Sequence, residues 1–279
     1  QLALILDDFH LVVPKLILKE GDTVKRGQAI FYSKSNERIK FVSPSSGIIE
    51  KIHRGDRRKI LEIIIKTNKD DNSIKHKIPA LEKLNSSNII GFLLDSGCWP
   101  LIKQRPFDII ANPEALPKSI FISCFDSAPL GVDFEFILKD QIESFKYGLE
   151  VLKKITSGNL NIGLSGDQKF LHSELKDFNK NTFSGPHPAG NVGIHIHHLD
   201  PISQGESVWV IKPEDVCIIG NLFKTGEYNP SRTVSVSSKP TPNAAGVVAM
   251  EKYSYFSLSS LFTPNRGFTT RTPDKEGGN

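Results

Sequence analysis

The chain has 279 residues, 38% hydrophobic and 24% charged, the balance of a soluble globular fold with room for two or three cores. Its 35 Lys and Arg against 31 Asp and Glu leave a formal charge of +4, scattered and too mild to argue for nucleic acid. No apolar run approaches the roughly 18–20 residues that cross a bilayer. Cys98, Cys124 and Cys217 stand far apart with no C-x-x-C pair, which excludes a cysteine-ligated cluster or zinc ribbon built from this chain alone. Reduced thiols in a cytosolic chain are expected. Starting at Gln1 with one methionine, Met250, the sequence reads as a fragment.

Residues 1–76 read as a β domain. LVVPKLILKEGDTVKRGQAIF, KFVSPSSGIIEKI and KILEIIIK alternate short apolar stretches with the turns E-G-D (20–22) and R-G-Q (26–28), the rhythm of a small sandwich or barrel. The order GD-x-V-x-x-G-Q … SP-x-x-G resembles the biotinyl/lipoyl carrier fold. A swinging-arm carrier needs a lysine at an exposed hairpin tip. Counting from Gly27 to Pro44 puts that tip near Asn36, Glu37 and Arg38, with Lys34 and Lys40 flanking it, so the fold is expected and the carrier chemistry is not. HRGDRRK (53–59) groups Arg54, Arg57, Arg58 and Lys59; it is either a solvated hairpin turn or a contact for an acidic partner or lipid headgroups.

Residues 77–238 alternate helix and strand. A helix is expected toward the end of Leu81–Gly97, with a glycine stop. CWPLIKQRPFDIIANP, broken by Pro100, Pro106 and Pro113, reads as connectors. SIFISCF (119–125) is a strand covered on both faces. Leu138, Ile142, Phe145, Leu149 and Leu152 give one apolar face to a helix from about Lys139 to Thr156. LNIGLS (160–165) is the next strand, and Leu171, Leu175 and Phe178 mark a short helix. SVWVI (207–211) is strand-like, PEDVCIIGNLFKTG starts a helix on Pro213 and stops it at Gly226, and TVSVS (233–237) closes the series. Alternation of this kind predicts a Rossmann-like α/β sheet. Neither FDSAPLG nor LSGDQ carries G-x-G-x-x-G, so a phosphate-binding loop, and with it a bound dinucleotide or flavin, is not expected.

Between these segments lies SGPHPAGNVGIHIHHLDPI (184–202), with three prolines, three glycines and four histidines, a shaped loop at least as far as IHIH. Read as an extended run, IHIH puts His195 and His197 on one face. With His187 or His198 they could approach a metal, but no thiolate joins them, and Asp200 before Pro201 reads as a turn cap; no metal is expected. Ser184 near His187 lacks a nucleophile elbow, and no side chain is named as catalytic. The plain reading has the histidines satisfied by backbone in a rigid loop.

GPHPAG … G-x-H-I-H-x-L-D-P, the R-P-F at 105–107, the N-terminal turns and VWVI … DV … IG-x-LF-x-TGEY occur in an order that resembles the A subunit of the sodium-translocating NADH:quinone reductase (NQR) family. The resemblance covers about residues 11–238. It implies a peripheral subunit on the cytoplasmic face of the bacterial inner membrane, partnered by the other subunits, which hold the NADH site, the flavins and the iron–sulfur centre. The isolated chain is then not expected to be catalytic, and ubiquinone is a candidate ligand. His187, His195, His197 and His198, with Gly185 and Gly190 shaping the loop, are the candidate quinone or partner contacts, since imidazole N–H groups suit quinone carbonyls. Arg54, Arg57 and Arg58 are a second candidate contact. A scaffold that never touches quinone is the alternative. The related C subunit of the Rnf complex would show repeated C-x-x-C-x-x-C, and the flavin-bearing subunit of respiratory complex I a glycine-rich loop; neither is present. Residues 239–279, rich in Pro, Gly, Thr and Ser, fall where the resemblance implies a ubiquitin-like β-grasp (SLBB) domain, here only partial.

Overall fold

The computed structural model describes residues 1–233 apart from Pro79 and Leu130. Residues 1–229 form one compact unit, and positions 230–233 begin a second. The expected strand at 233–237 lies outside the described residues beyond Thr233, and so does the segment 239–279.

Seven strands build the N-terminal part: β1 (Leu2–Ile5), β2 (Pro14–Leu16), β3 (Thr23–Val24), β4 (Ala29–Ser33), β5 (Asn36–Val42), β6 (Gly47–Arg54) and β7 (Ile60–Thr67). They form two antiparallel sheets, ordered β1-β7-β6-β3 and β2-β4-β5. Ile49, Ile63 and Ile65 are fully buried on one sheet, and Phe31 and Phe41 are buried on the other. Phe31 and Phe41 stack at 4.5 Å, and Phe9 meets Phe41 edge-on at 4.7 Å. Each such ring stabilises the fold by roughly 1.5–3 kcal/mol relative to exposure.

The β4–β5 hairpin departs from the sequence count. Ser33 pairs with Asn36, so the two-residue turn is Lys34–Ser35 and Lys34 is exposed at the tip. Counting residues missed the register shifts at Ala29/Phe31 and Tyr32/Ser33, which move the turn two positions. Position therefore does not exclude a carrier lysine.

Next come α1 (Ser86–Asp95), β8 (Lys103–Arg105), β9 (Ile109–Ile110), β10 (Ile120–Ser123), α2 (Phe134–Lys139), α3 (Ile142–Lys153), β11 (Leu160–Ser165), α4 (Lys169–Glu174), β12 (Lys180–Phe183), α5 (Val192–Leu199), β13 (Val208–Val210) and α6 (Pro213–Thr225). One six-stranded sheet runs β12-β11-β10-β13-β8-β9. Its first four strands are parallel, and β8 and β9 add an antiparallel edge. Counted along the chain, the parallel strands stand in the order 3-2-1-4, so the direction of winding reverses between β10 and β13.

Two expectations change here. The proline-broken stretch is not all connector: Pro100 sits in a short 3-10 turn, Pro106 in the β8–β9 hairpin and Pro113 beyond it, so no proline interrupts the ladder. The helix expected from about Lys139 to Thr156 is α3, starting at Ile142; a separate helix, α2, precedes it and takes Leu138, because Asp133 caps it through Glu135 N–H at 2.9 Å and the chain leaves helix at Asp140–Gln141. Strand β12, polar and half-buried at the sheet edge, lacks the apolar run that marks β10 and β11.

α3 and α6 pack closely through glycine. A Cβ on Gly148 would lie 2.2 Å from the Val216 carbonyl oxygen, and one on Gly220 1.8 Å from that of Ser144. α5 crosses the sheet face carrying Phe121, where Ile196 and Val208 are buried with it. The N-terminal sheets join this layer through Gly97 against Val42. Arg26 adds bonds to the Tyr228 carbonyl, Asp71 (2.9 Å) and Glu227 (3.3 Å).

Candidate functional site

The histidine-rich segment leaves the carboxyl end of β12 and returns along α5. Backbone contacts fix its path. A Cβ on Gly190 would sit 2.6 Å from the Phe125 carbonyl oxygen and from the Ser127 nitrogen, so the loop lies directly on the turn after β10. Gly190 N–H donates to Ser127 Oγ at 2.8 Å, and the Ser123 hydroxyl lies 2.9 Å from the carbonyls of Phe125 and Gly190. The peptides Arg105–Pro106 and His187–Pro188 are cis. The loop thus closes over the carboxyl ends of the parallel strands, where open α/β sheets usually take ligands.

The expected extended run is a helix. Val192 and Ile196, four apart, pack toward Phe121, and this 3.6-residue period outweighs the alternation of IHIH. On a helix, residues two apart point about 200° from one another. His195 and His197 therefore do not share a face: His195 is 1% exposed, while His197 and His198 are exposed with rings 5.2 Å apart.

His195 is committed inside the fold. Its ring stacks on Phe183 at 3.7 Å, Nε2 lies 2.9 Å from the Ala189 carbonyl, and Gly163 leaves the space beneath it. Burial lowers its pKa, the Ala189 bond opposes that, and the charge of His198 lowers it further. His187 is exposed, with Nδ1 3.2 Å from Ser127 Oγ rather than paired with Ser184. Gly185, at φ +127, holds a backbone that side chains disfavour. Asp200 does not cap backbone with its side chain: it accepts from Ser119 Oγ (2.7 Å) and pairs with Lys118 (2.8 Å). Lys118 also reaches Glu206 at 2.8 Å, tying the loop's end to the start of β10. Among the described residues, no group of three or more His, Cys, Asp or Glu is placed to hold a metal ion.

The donors that a phosphate would use are occupied. Asp126, in the turn after β10, accepts from Ala128 N–H (3.0 Å) and Val132 N–H (3.2 Å). Glu135 accepts from Phe170 N–H (2.5 Å) and Leu171 N–H (3.2 Å), the amides that open α4. Internal carboxylates stand where a nucleotide cradle offers bare N–H groups. Sequence reasoning missed Ser123, Ser127, Asp126 and Glu135. FDSAPLG was legible as a turn, but which amides its own carboxylate takes depends on the folded loop.

Arg54, Arg57 and Arg58 belong to a different place, the exposed tip of the β6–β7 hairpin. Phe107, the last residue of R-P-F, is 72% exposed at the β8–β9 turn. Among the described residues no helix is long and apolar enough to cross a membrane.

Fold and loop define a mixed α/β chain with a β-sheet N-terminal domain followed by an α/β domain. Residues 1–68 match the model of the NqrA N-terminal barrel-sandwich hybrid domain, and residues 84–228 that of the NqrA second alpha/beta domain. The chain belongs to the NqrA family. It is 36% identical over 245 residues to the A subunit of the Na(+)-translocating NADH-quinone reductase of Histophilus somni, covering 87% of this chain and 55% of that one. The same subunits of Marinomonas sp. and Yersinia pestis are each 37% identical, over 84% and 85% of this chain and 53% and 54% of theirs. The chain spans about half the length of the curated relatives it matches.

Proposed function

We propose that this chain serves as the NqrA subunit of a Na+-translocating NADH:ubiquinone reductase, a peripheral subunit on the cytoplasmic face of the inner membrane. NADH, the flavins and the iron–sulfur centre belong to partner subunits. The chain is a docking body: a biotinyl/lipoyl-like domain at 1–76 and a Rossmann-like domain from 77 without a phosphate loop. The observation that carries this reading is the match of two family models in order along one chain, to relatives named as that subunit. The 3-2-1-4 order of the parallel strands supports the Rossmann-like description.

Ubiquinone contact, in this reading, falls to the exposed imidazoles of His187, His197 and His198, because His195 is spent on Ala189 and Phe183. The test is complementation of a bacterium lacking its own NqrA, read as Na+-dependent NADH:quinone reductase activity of its membranes. Full activity in the absence of any NqrA would end the proposal. The scaffold reading is favoured by one observation, the internal carboxylates on the amides at the strand ends. Titration of a ubiquinone analogue against His187→Ala/His197→Ala/His198→Ala separates the two. Weakened binding supports quinone contact; binding absent from the parent chain supports the scaffold.

A further inference from the structure

The tip of the β6–β7 hairpin has a backbone that its residues do not favour. Gly55 N–H bonds the Lys59 carbonyl at 2.8 Å, and Lys59 N–H closes a four-residue turn on the Asp56 carbonyl at 3.1 Å. Its two central residues are Arg57 (φ 52, ψ 28) and Arg58 (φ 62). Positive φ at both is the type I′ pattern that follows strand twist and that Asn-Gly or Gly-Gly fills with least strain. Each arginine is held there against contact between its Cβ and the following carbonyl oxygen. Strain retained at an exposed tip points to the side chains as the reason for it.

Those side chains are uncompensated. Among the described residues none of the guanidinium groups of Arg54, Arg57 and Arg58 pairs with a carboxylate, and Arg54 reaches only the Arg58 carbonyl at 3.3 Å. The neighbours do pair, Lys59 with Asp7 at 2.6 Å and His53 with Glu62 at 2.7 Å. Behind the arginines are apolar groups facing solvent. Leu61, 40% exposed, lies beside Gly55, and Ile17, 50% exposed, shares an open groove with Ile52, Arg54, Glu20 and Asp22, the two carboxylates there accepting from Ile52 N–H (2.7 Å) and Lys19 N–H (2.9 Å).

We propose that this hairpin tip docks on an anionic lipid bilayer, with Arg54, Arg57 and Arg58 on headgroup phosphates and Leu61 and Ile17 at the acyl boundary. The inference rests on the reading of the chain as a subunit working at a membrane. Guanidinium groups suit phosphate oxygens, and an arginine-rich polar edge backed by aliphatic side chains suits a bilayer interface. A stable protein contact takes about 20–30 residues a side, which a five-residue convex tip does not offer.

Flotation of the full chain with vesicles of phosphatidylcholine and phosphatidylglycerol, against phosphatidylcholine alone, tests it. The parent chain is expected on the anionic vesicles only, and to leave them in about 1 M salt. Arg57→Asn/Arg58→Gly gives the turn its preferred residues, so its melting temperature is expected to hold or rise while anionic partitioning falls roughly 30-fold, about fivefold per arginine. Arg57→Gln/Arg58→Gln removes charge with little change to the backbone and is expected to lose as much. Equal partitioning of the parent onto neutral vesicles, or full partitioning by either variant, overturns the proposal. So does a parent that ignores vesicles while the variants lose co-purification with other subunits, which assigns the tip to an acidic protein face. Complementation in detergent-solubilised complexes reads the NqrA role separately from lipid charge.

Discussion

Gly163 and His195 fit one another: a Cβ on Gly163 would lie 2.3 Å from Nδ1 and 2.5 Å from Cε1 of the imidazole. The pair couples strand β11 to helix α5, and through His195 Nε2 to the loop at Ala189. Gly163→Ala is expected to destabilise the chain by about 1–3 kcal/mol, the cost of overpacking a filled interior. Urea midpoints read this, and the double variant with His195→Ala should fall short of the sum of the two singles, since each removes the other's contact. Strict additivity would show that the two residues do not constrain each other.

Stability is expected to fall as the solution is acidified below about pH 6.5. His195 and His76 both have lowered pKa values, burial being the main cause. For His76, Asp95 opposes the shift and Lys40 adds to it. The unfolded chain then binds protons that the folded chain refuses, so stability rises with pH across this window. The contribution is complete above the unfolded value near 6.5 and is lost as pH drops through the folded values. Glu206, held low by its bond from Lys118, and Glu227, held low by Ser73, lose theirs only in more acid solution. Midpoints at several pH values, with His76→Gln and His195→Gln, check this. A flat profile for the parent chain would contradict it.

The strands of the second sheet were legible where they are mostly apolar and buried, as in Ile120–Ser123 and Leu160–Ser165. β12 was not, because Lys180 and Asn181 sit on an edge with one side in solvent. Helix α6 announced both ends, with Pro213 at its start and Gly226 (φ 76) after its last turn. The histidine segment was recognised as a site but misread in shape, because I-H-I-H satisfies a two-residue and a 3.6-residue period at once. Only the apolar face at Phe121 decides between them. Nothing local in S-G-P-H could reveal that His187 meets Ser127, 60 positions back.

Gly148 and Gly220 let α3 and α6 approach with backbone nearly touching backbone. Alanine at Gly220 meets the Ser144 carbonyl oxygen at 1.8 Å, so the helices must separate and the core between them must open. A loss of about 3 kcal/mol or more is expected for Gly220→Ala, whereas Gly193→Ala, inside α5 where a Cβ meets nothing within 4 Å, is expected to hold stability or raise it by up to about 1 kcal/mol. Thermal melts of the two variants make the comparison.

Lys34 stands in the β4–β5 turn, the place an acylated carrier lysine would take. The proposed role in the complex expects it bare. The peptide carrying Lys34, released by proteolysis from protein purified from its native cells, should have its unmodified mass. A biotinyl or lipoyl adduct there would restore the carrier reading.

All three thiols are expected to be silent toward a disulfide reagent in the folded chain. Cys98, Cys124 and Cys217 are buried. Burial pushes the pKa of Cys98 up to about 12, with Ser96 opposing, and drives that of Cys124 well above its ordinary value. Since only the thiolate attacks, inaccessibility and protonation act in the same direction. At mild alkaline pH an aromatic disulfide such as Ellman's reagent should release almost no thiolate from native protein, and three equivalents after denaturation. Labelling in the native state should then proceed only through opening, so its rate should track denaturant and rise in Gly220→Ala, whose substitution loosens the helix that carries Cys217. Rapid labelling of one cysteine in the undisturbed chain would show that its cover is not the one described.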